Sequence, residues 1–121
     1  MATQRDPSRH RLLLIETDDL IRDLIIRWLT EAGHAVDTDE AQSPGAALVI
    51  VDLPDPAQAG ATLAALAARH GVPILAMSGR FRRSGAATEG AARRLGVARV
   101  LPKPFTGEEL LAAVQACLGG R

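Results

Sequence analysis

Residues 47–52, ALVIVD, decide the fold, because they form an apolar run that ends in an aspartate. A short run without polar alternation is typical of a strand buried on both faces of a parallel sheet. Four further strands are predicted at residues 12–15, 35–38, 74–77 and 97–101. The pattern therefore predicts a five-stranded sheet with Asp52 at the end of its third strand.

Helical segments fill most of the intervals between these strands. Asp18 is a predicted N-cap. Apolar residues then recur at helical spacing up to a stop at Gly33, namely Ile21, Leu24, Ile25, Trp28, Leu29 and Ala32. Three more helices are predicted at residues 56–70, 86–95 and 106–118.

The last of these helices opens with a capping box from Thr106 to Glu109. Residues 39–45, DEAQSPG, are predicted to be a loop. Strands that alternate with helices indicate right-handed βαβ units. The fold class is therefore α/β, a doubly wound parallel sheet with helices on both faces.

The composition excludes several classes of function. Fourteen basic residues balance fourteen acidic ones and only three residues are aromatic, so neither nucleic acid nor a membrane is an expected partner. The single cysteine, Cys117, is predicted to be a small buried apolar residue. Residues 1–10, MATQRDPSRH, are interpreted as a tail without the apolar core of a signal peptide. No apolar run reaches transmembrane length, which favours a cytoplasmic protein.

Polar residues follow four of the predicted strands. In doubly wound sheets, ligands bind beyond the carboxyl ends of the strands. This rule selects Glu16, Thr17, Asp18, Asp52, Ser78 and Lys103. Lys103 is the only lysine of the chain, and Pro102 and Pro104 flank it. A carboxylate attacks phosphorus only when cations cancel the repulsion between two anions, so this set of acids, hydroxyl and ammonium suits phosphoryl transfer.

Four segments together resemble the response-regulator receiver domain of two-component signalling systems, from about residue 11 to residue 118. They are LLLIETDDLIRDLI, LVIVDLPDPAQAG, PILAMSGR and VLPKPF. The resemblance implies a flavodoxin-like sheet of order 2-1-3-4-5 in a receiver domain spanning residues 11–121, after the tail of residues 1–10. It also implies that Asp52 accepts a phosphoryl group whose oxygens Ser78 and Lys103 contact.

The resemblance further implies Mg²⁺ as the cofactor, held by Glu16, Thr17, Asp52 and the backbone carbonyl of Pro54. The implied phosphodonor is a histidine kinase or a phosphotransfer protein, and the implied output is a contact with a downstream protein. No enzyme activity is expected beyond self-phosphorylation from acyl phosphates and autodephosphorylation. The chain is either a stand-alone receiver or an excised domain.

Three departures from the family pattern bear on this interpretation. Thr17 stands where the family carries a second acid, so the cation site loses a formal charge. Val100 replaces the usual aromatic residue of the fifth strand. Thr17 and Asp52 are only 35 positions apart, short of the usual interval by roughly two helical turns. The second helix is therefore expected to be absent or a single turn.

Loss of that helix would uncover apolar surface beside the first and third strands. The gap must be closed by a shifted neighbouring helix, by the loop of residues 39–45 or by another protein chain. We expect contacts of a homodimer or a docked partner there, near Ala41 and Ala46. The alternative function is a pseudo-receiver, a phosphorylation-independent protein-interaction domain. A small α/β enzyme has little support, because the chain lacks the glycine-rich nucleotide-binding motifs and the G-x-S-x-G motif.

Overall fold

The computed structural model describes residues 9–42 and 45–119 and contains the predicted five-stranded parallel sheet. Its strand order is β2-β1-β3-β4-β5. The strands are β1 (Arg11–Ile15), β2 (Ala35–Asp37), β3 (Leu48–Asp52), β4 (Ile74–Ser78) and β5 (Arg99–Pro102). The predicted fold class and strand order are confirmed, although the fifth strand begins two residues later than the sequence indicates.

Three helices connect strands and a fourth follows β5: α1 (Asp19–Glu31), α2 (Gly60–His70), α3 (Gly85–Leu95) and α4 (Gly107–Leu118). Asp18 caps α1 as predicted, because its Oδ1 accepts a hydrogen bond of 2.9 Å from the amide of Ile21. The Thr106–Glu109 capping box at the start of α4 is also present. None of the helices in residues 9–42 and 45–119 combines the length and apolar character needed to cross a membrane.

The predicted helix start at Pro56 is wrong. Residues Pro56–Gln58 form a separate 3-10 turn, and α2 begins at Gly60. The amides of Gln58 and Ala59 donate to carbonyls three residues earlier, which is the tighter 3-10 pattern. Asp55 makes no side-chain capping bond to this turn. The proline therefore starts one isolated turn.

The helices cover the two faces of the sheet in pairs. On one face, α1 and α4 contribute Ile25, Leu29, Leu110, Val114 and Cys117 to a buried cluster with Leu12, Leu14, Leu48, Ile50, Leu75 and Met77. On the other face, α2 and α3 contribute Leu63, Leu66, Ala91 and Ala92 to a cluster with Leu13, Val49, Val51, Ala76 and Val100. Both faces of the central strands are thus buried, as their uninterrupted apolar runs predict.

The predicted loss of the second helix is confirmed for the residues described between β2 and β3, which hold one 3-10 turn, Glu40–Gln42. The sequence predicts a loop over residues 39–45, and this turn corrects that prediction. Residues 43 and 44 of that loop lie outside the described residues. A short-range Asp39 bond starts the turn, since its Oδ1 accepts from the amide of Ala41 at 3.0 Å.

The expectation of uncovered apolar surface beside β1 and β3 is wrong for the part of the chain described. Leu13 and Val49 are 0% exposed, and Ala46 is only 8% exposed. Leu63 and Leu66 of α2 belong to the same buried cluster. Because α2 covers this face, Ala46 offers no exposed apolar surface on which a second copy of the chain could pack.

An ion pair and a hydrogen bond hold the short turn against the end of α2. The Oε2 atom of Glu40 lies 2.6 Å from Nη1 of Arg69 and 2.9 Å from Nε2 of His70. The His70 side chain is 9% exposed, so its ring depends on this acceptor. The turn and α2 together close the gap that the missing helix would leave.

We predict that Glu40→Ala lowers the free energy of unfolding by about 1–2 kcal/mol, because it leaves the His70 ring without its acceptor. The matched control is Glu31→Ala, which removes an ion pair between exposed side chains and should change stability by less than about 0.5 kcal/mol. Urea denaturation measures both. Equal losses of unfolding free energy in the two variants would show that the Glu40 contacts with α2 do not stabilise the fold.

Candidate functional site

Four predicted site residues lie side by side at one edge of the sheet. Asp52 is the last residue of β3, Ser78 is the last residue of β4, and Glu16 directly follows β1. The amide of Lys103 donates a hydrogen bond of 2.9 Å to the carbonyl of Ser78, which fixes Lys103 just beyond β5. This edge holds the carboxyl ends of the strands, where ligands of such folds bind.

The ammonium of Lys103 lies between two carboxylates. Its Nζ is 2.7 Å from Oε1 of Glu16 and 2.8 Å from Oδ1 of Asp52. The side chains are 17% exposed for Lys103, 1% for Glu16 and 14% for Asp52. Three largely buried charges therefore meet here, and the single lysine neutralises one of the two negative charges.

These contacts change the proton affinity of Lys103. Burial lowers its pKa, but hydrogen bonds and charge attraction from Asp52 and Glu16 outweigh burial, and the net pKa is raised. Where both carboxylates are charged, the ion pairs therefore stabilise the fold at pH values below the lysine's ordinary pKa. That contribution is lost as the pH rises through the raised pKa.

Both the side chain and the backbone carbonyl of Glu16 accept hydrogen bonds. Its Oε2 accepts a hydrogen bond of 3.1 Å from the amide of Asp18, and Nη1 of Arg22 donates to its backbone carbonyl at 3.4 Å. Arg22 also pairs with Asp19, with 2.7 Å between Nη2 and Oδ1. Both carboxylate oxygens of Glu16 thus have protein partners. The sequence did not lead us to Arg22. Its position one helical turn after the N-cap was the signal that could have indicated a contact with the start of the helix.

Ser78 presents a hydroxyl on the same edge. Its residue is 1% exposed, and its Oγ accepts a hydrogen bond of 3.1 Å from the amide of Arg80. Because the oxygen acts as acceptor in this bond, the hydroxyl hydrogen remains able to donate to an anion.

A divalent cation would have a limited set of ligands here. Glu16 and Asp52 supply carboxylates, and Pro54, two residues after Asp52, supplies an exposed backbone segment. Thr17 is neutral and exposed. Among the described residues, no group of three or more acidic, histidine or cysteine side chains has the geometry of a metal site. Mg²⁺ accepts one or two carboxylates and keeps several waters, so two carboxylates are a donor set of the kind that this ion uses.

An exposed apolar surface adjoins this site, which the sequence analysis did not predict. Leu20 is 82% and Leu24 is 42% exposed, and they are the exposed large apolar side chains among the described residues. Beside them a cavity of about 430 Å³ is lined by Leu24, Trp28, Lys103 and Phe105, among others. Leu24 belongs to the apolar residues that recur at helical spacing, but the buried residues of α1 are Ile25 and Leu29.

Comparison with known proteins places this fold among receiver domains. A response regulator receiver protein from Burkholderia phymatum is 24% identical, with a TM-score of 0.70 over 91% of this chain and 95% of that one. Chemotaxis protein CheY4 of Vibrio cholerae is 23% identical, with a TM-score of 0.71 over 91% of this chain and 99% of that one.

NtrX of Brucella abortus is 22% identical, with a TM-score of 0.73 over 93% of this chain, which spans 26% of the NtrX chain. No family model matches the sequence. No curated protein matches it either. The chain therefore has the fold of response-regulator receiver domains, and the resemblance seen in its sequence is confirmed at the level of the fold.

We predict that Lys103→Met lowers the free energy of unfolding by about 2–3 kcal/mol at neutral pH, because two buried carboxylates lose their shared cation. A double variant that also carries Glu16→Gln should recover part of the loss. Arg27→Met, which breaks an exposed pair with Glu31, is the control and should change little. If Lys103→Met costs no more than Arg27→Met in urea denaturation, the double ion pair does not hold the site together.

Proposed function

We propose that this protein is a phosphoacceptor receiver module of a two-component system, in which Asp52 takes a phosphoryl group from a histidine kinase or a phosphotransfer protein. The observation that carries the proposal is the position of Asp52 and Lys103. A partly accessible carboxylate and the ammonium of the chain's only lysine lie 2.8 Å apart. Around them stand an acid and a hydroxyl at neighbouring strand ends, on a fold shared with receiver domains.

In the proposed reaction, a phosphoryl group moves from a nitrogen or oxygen atom of the donor to a carboxylate oxygen of Asp52. A carboxylate oxygen of Asp52 attacks the phosphorus, and the bond from phosphorus to the donor's imidazole nitrogen or carboxyl oxygen breaks, so the donor leaves with that electron pair. Lys103 exchanges its contact with Asp52 for the phosphoryl oxygens, and Ser78 donates its hydroxyl hydrogen to another. Mg²⁺, bound by Glu16, Asp52 and the Pro54 carbonyl, would supply charge neutralisation.

Thr17 should make this cation site weaker than one with a second acid. One charge at about 5 Å, with an effective dielectric near 20, is worth roughly 3 kcal/mol at most, and ligand desolvation offsets part of that. We expect Thr17→Asp to tighten Mg²⁺ binding by on the order of tenfold. An unchanged affinity in a titration would mean that Thr17 does not face the cation.

The phosphodonor is proposed to dock on the apolar surface of α1. Leu20 and Leu24 are exposed next to the cavity that Lys103 helps to line. A donor histidine must approach Asp52 within bonding distance, so a protein donor needs a contact surface beside the site. Exposed apolar side chains next to a charged centre supply such a surface. A cytoplasmic location and a downstream protein partner belong to the same proposal.

We predict that incubation with acetyl phosphate and Mg²⁺ adds one phosphoryl group to the protein, seen by intact mass. Asp52→Asn should abolish the gain and Lys103→Ala should reduce it severely. Asp55→Asn, three residues further along, is the matched control and should retain it. No gain in the wild type, or a gain that survives Asp52→Asn, would favour the phosphorylation-independent pseudo-receiver.

We further predict that Leu20→Asp with Leu24→Asp slows transfer from a phosphorylated histidine kinase or phosphotransfer protein at least tenfold. Self-phosphorylation from acetyl phosphate should be unchanged in this variant, because the small donor needs no docking surface. Charged substitutions at Ala64 and Ala65, exposed on α2, serve as the control. Equal loss with both donors would mean that the leucines maintain the site and do not bind a partner.

A further inference from the structure

A cavity lies among the loop after β3, the loop after β4 and helix α3, and it has a volume of about 320 Å³. The loops that follow the strands of a doubly wound sheet are where ligands of such folds bind. We call this feature the loop cavity. It is lined by Asp55, Pro56, Ala57, Arg80, Phe81, Ala91, Arg94 and Leu95.

The apolar part of the loop cavity is continuous with the core of the protein. Ala91 is 6% exposed, and the partly buried side chains of Phe81 and Leu95 pack against the same core cluster. Residues 79–83, GRFRR, thus place one aromatic ring between arginines. Because Phe81 is only partly buried, its ring also offers a surface against which a ligand's ring can pack.

Two guanidinium groups adjoin this apolar lining. Arg94 is exposed and forms no ion pair within residues 9–42 and 45–119. Nη1 of Arg80 lies 3.8 Å from Oδ1 of Asp55, which is too far for a hydrogen bond, and the Arg80 side chain is 69% exposed. Two arginines and one aspartate give the lining a net positive charge. An anion can therefore take charge-assisted hydrogen bonds here without breaking an internal one.

Helix α3 holds Arg94 beside the apolar lining. Arg94 and Leu95 come three and four residues after Ala91, the spacing that places side chains on one face of a helix. Gly90 lies one turn before Arg94, and a Cβ atom built there would be 3.4 Å from Nη1 of Arg94. The guanidinium group therefore lies along the helix surface, next to the cavity, and does not extend straight into solvent.

We propose that the loop cavity binds a small aromatic molecule that carries one oxyanion group, either a carboxylate or a phosphate. The ring of the ligand packs against Phe81 and the apolar side chains, and the oxyanion accepts hydrogen bonds from Arg94 and Arg80. A volume of about 320 Å³ is at the small end of the range for ligand sites, which favours one ring or two fused rings. Asp55 disfavours a second anionic group on the ligand.

This site is separate from the proposed phosphoacceptor. Asp55 and Arg80 follow Asp52 and Ser78 closely in sequence, but the lining of the cavity includes neither Asp52, Ser78 nor Lys103. The loop cavity should therefore bind its ligand equally well in the Asp52→Asn variant and in the wild type. Failure of this proposal and failure of the phosphoacceptor proposal are thus distinguishable.

The probes are 2-naphthoate and 2-naphthyl phosphate, titrated into the labelled protein without Mg²⁺ and followed by amide NMR shifts. We expect saturable shifts centred on Arg80, Phe81 and Arg94, with a Kd on the order of 1 mM for a ligand of this size. The tighter of the two probes identifies the preferred oxyanion. The uncharged 2-naphthamide should bind at least tenfold more weakly, and acetate, which has no ring, should not saturate.

Two variants separate the charge from the ring. Arg94→Gln should weaken binding of 2-naphthoate about fivefold, as loss of one exposed ion pair predicts, and should leave 2-naphthamide binding unchanged. Phe81→Leu should weaken both probes while circular dichroism shows an intact fold. The matched control is Arg93→Gln, because Arg93 is the neighbouring arginine of α3 and does not line the loop cavity.

Three results would overturn the proposal. The first is 2-naphthamide binding as tightly as 2-naphthoate, and the second is an equal effect of Arg94→Gln and Arg93→Gln. The third is a set of shifts that does not saturate, or that centres on Trp28 and Phe105, which line the cavity beside α1.

Discussion

Two carboxylates and one ammonium meet at the carboxyl ends of the strands, and the site depends on the balance of these charges. Glu16 is almost wholly buried, with 1% of its side chain exposed, and a buried carboxylate without a partner costs several kcal/mol. Lys103 offsets part of that cost for Glu16 and for Asp52. The same contact keeps the lysine charged and holds it against Asp52, where a phosphoryl group would add negative charge.

The fold makes this contact possible between residues that are far apart in sequence. Glu16 and Lys103 are 87 positions apart, and only the parallel sheet brings β1, β3 and β5 to one edge. Glu16 is fixed by the amide at the start of α1, and Lys103 is fixed by the carbonyl that ends β4. Secondary structure thus fixes the backbone at Glu16 and at Lys103. The Glu16 side chain then reaches the ammonium of Lys103.

Much of this arrangement could be predicted from the sequence. Buried strands have continuous apolar runs, and Asp18, Thr106 and Glu109 obey local capping rules that need no tertiary information. Other features depend on packing between distant segments. Ala46 is buried because α2 covers its face, and Leu24 is exposed because Ile25 and Leu29 already fill the core. Periodicity alone places the apolar residues of a helix on one broad stripe and does not show which of them are most deeply buried.

We propose that Glu16, Asp52, Ser78 and Lys103 act as one anion-responsive site. Its most direct test is NMR titration with beryllium fluoride, a phosphoryl mimic, in the presence of Mg²⁺. We predict saturable amide shifts at Asp52, Ser78 and Lys103 that disappear in the Asp52→Asn variant. Shifts that avoid these residues, or no shifts at all in a folded protein, would contradict the account.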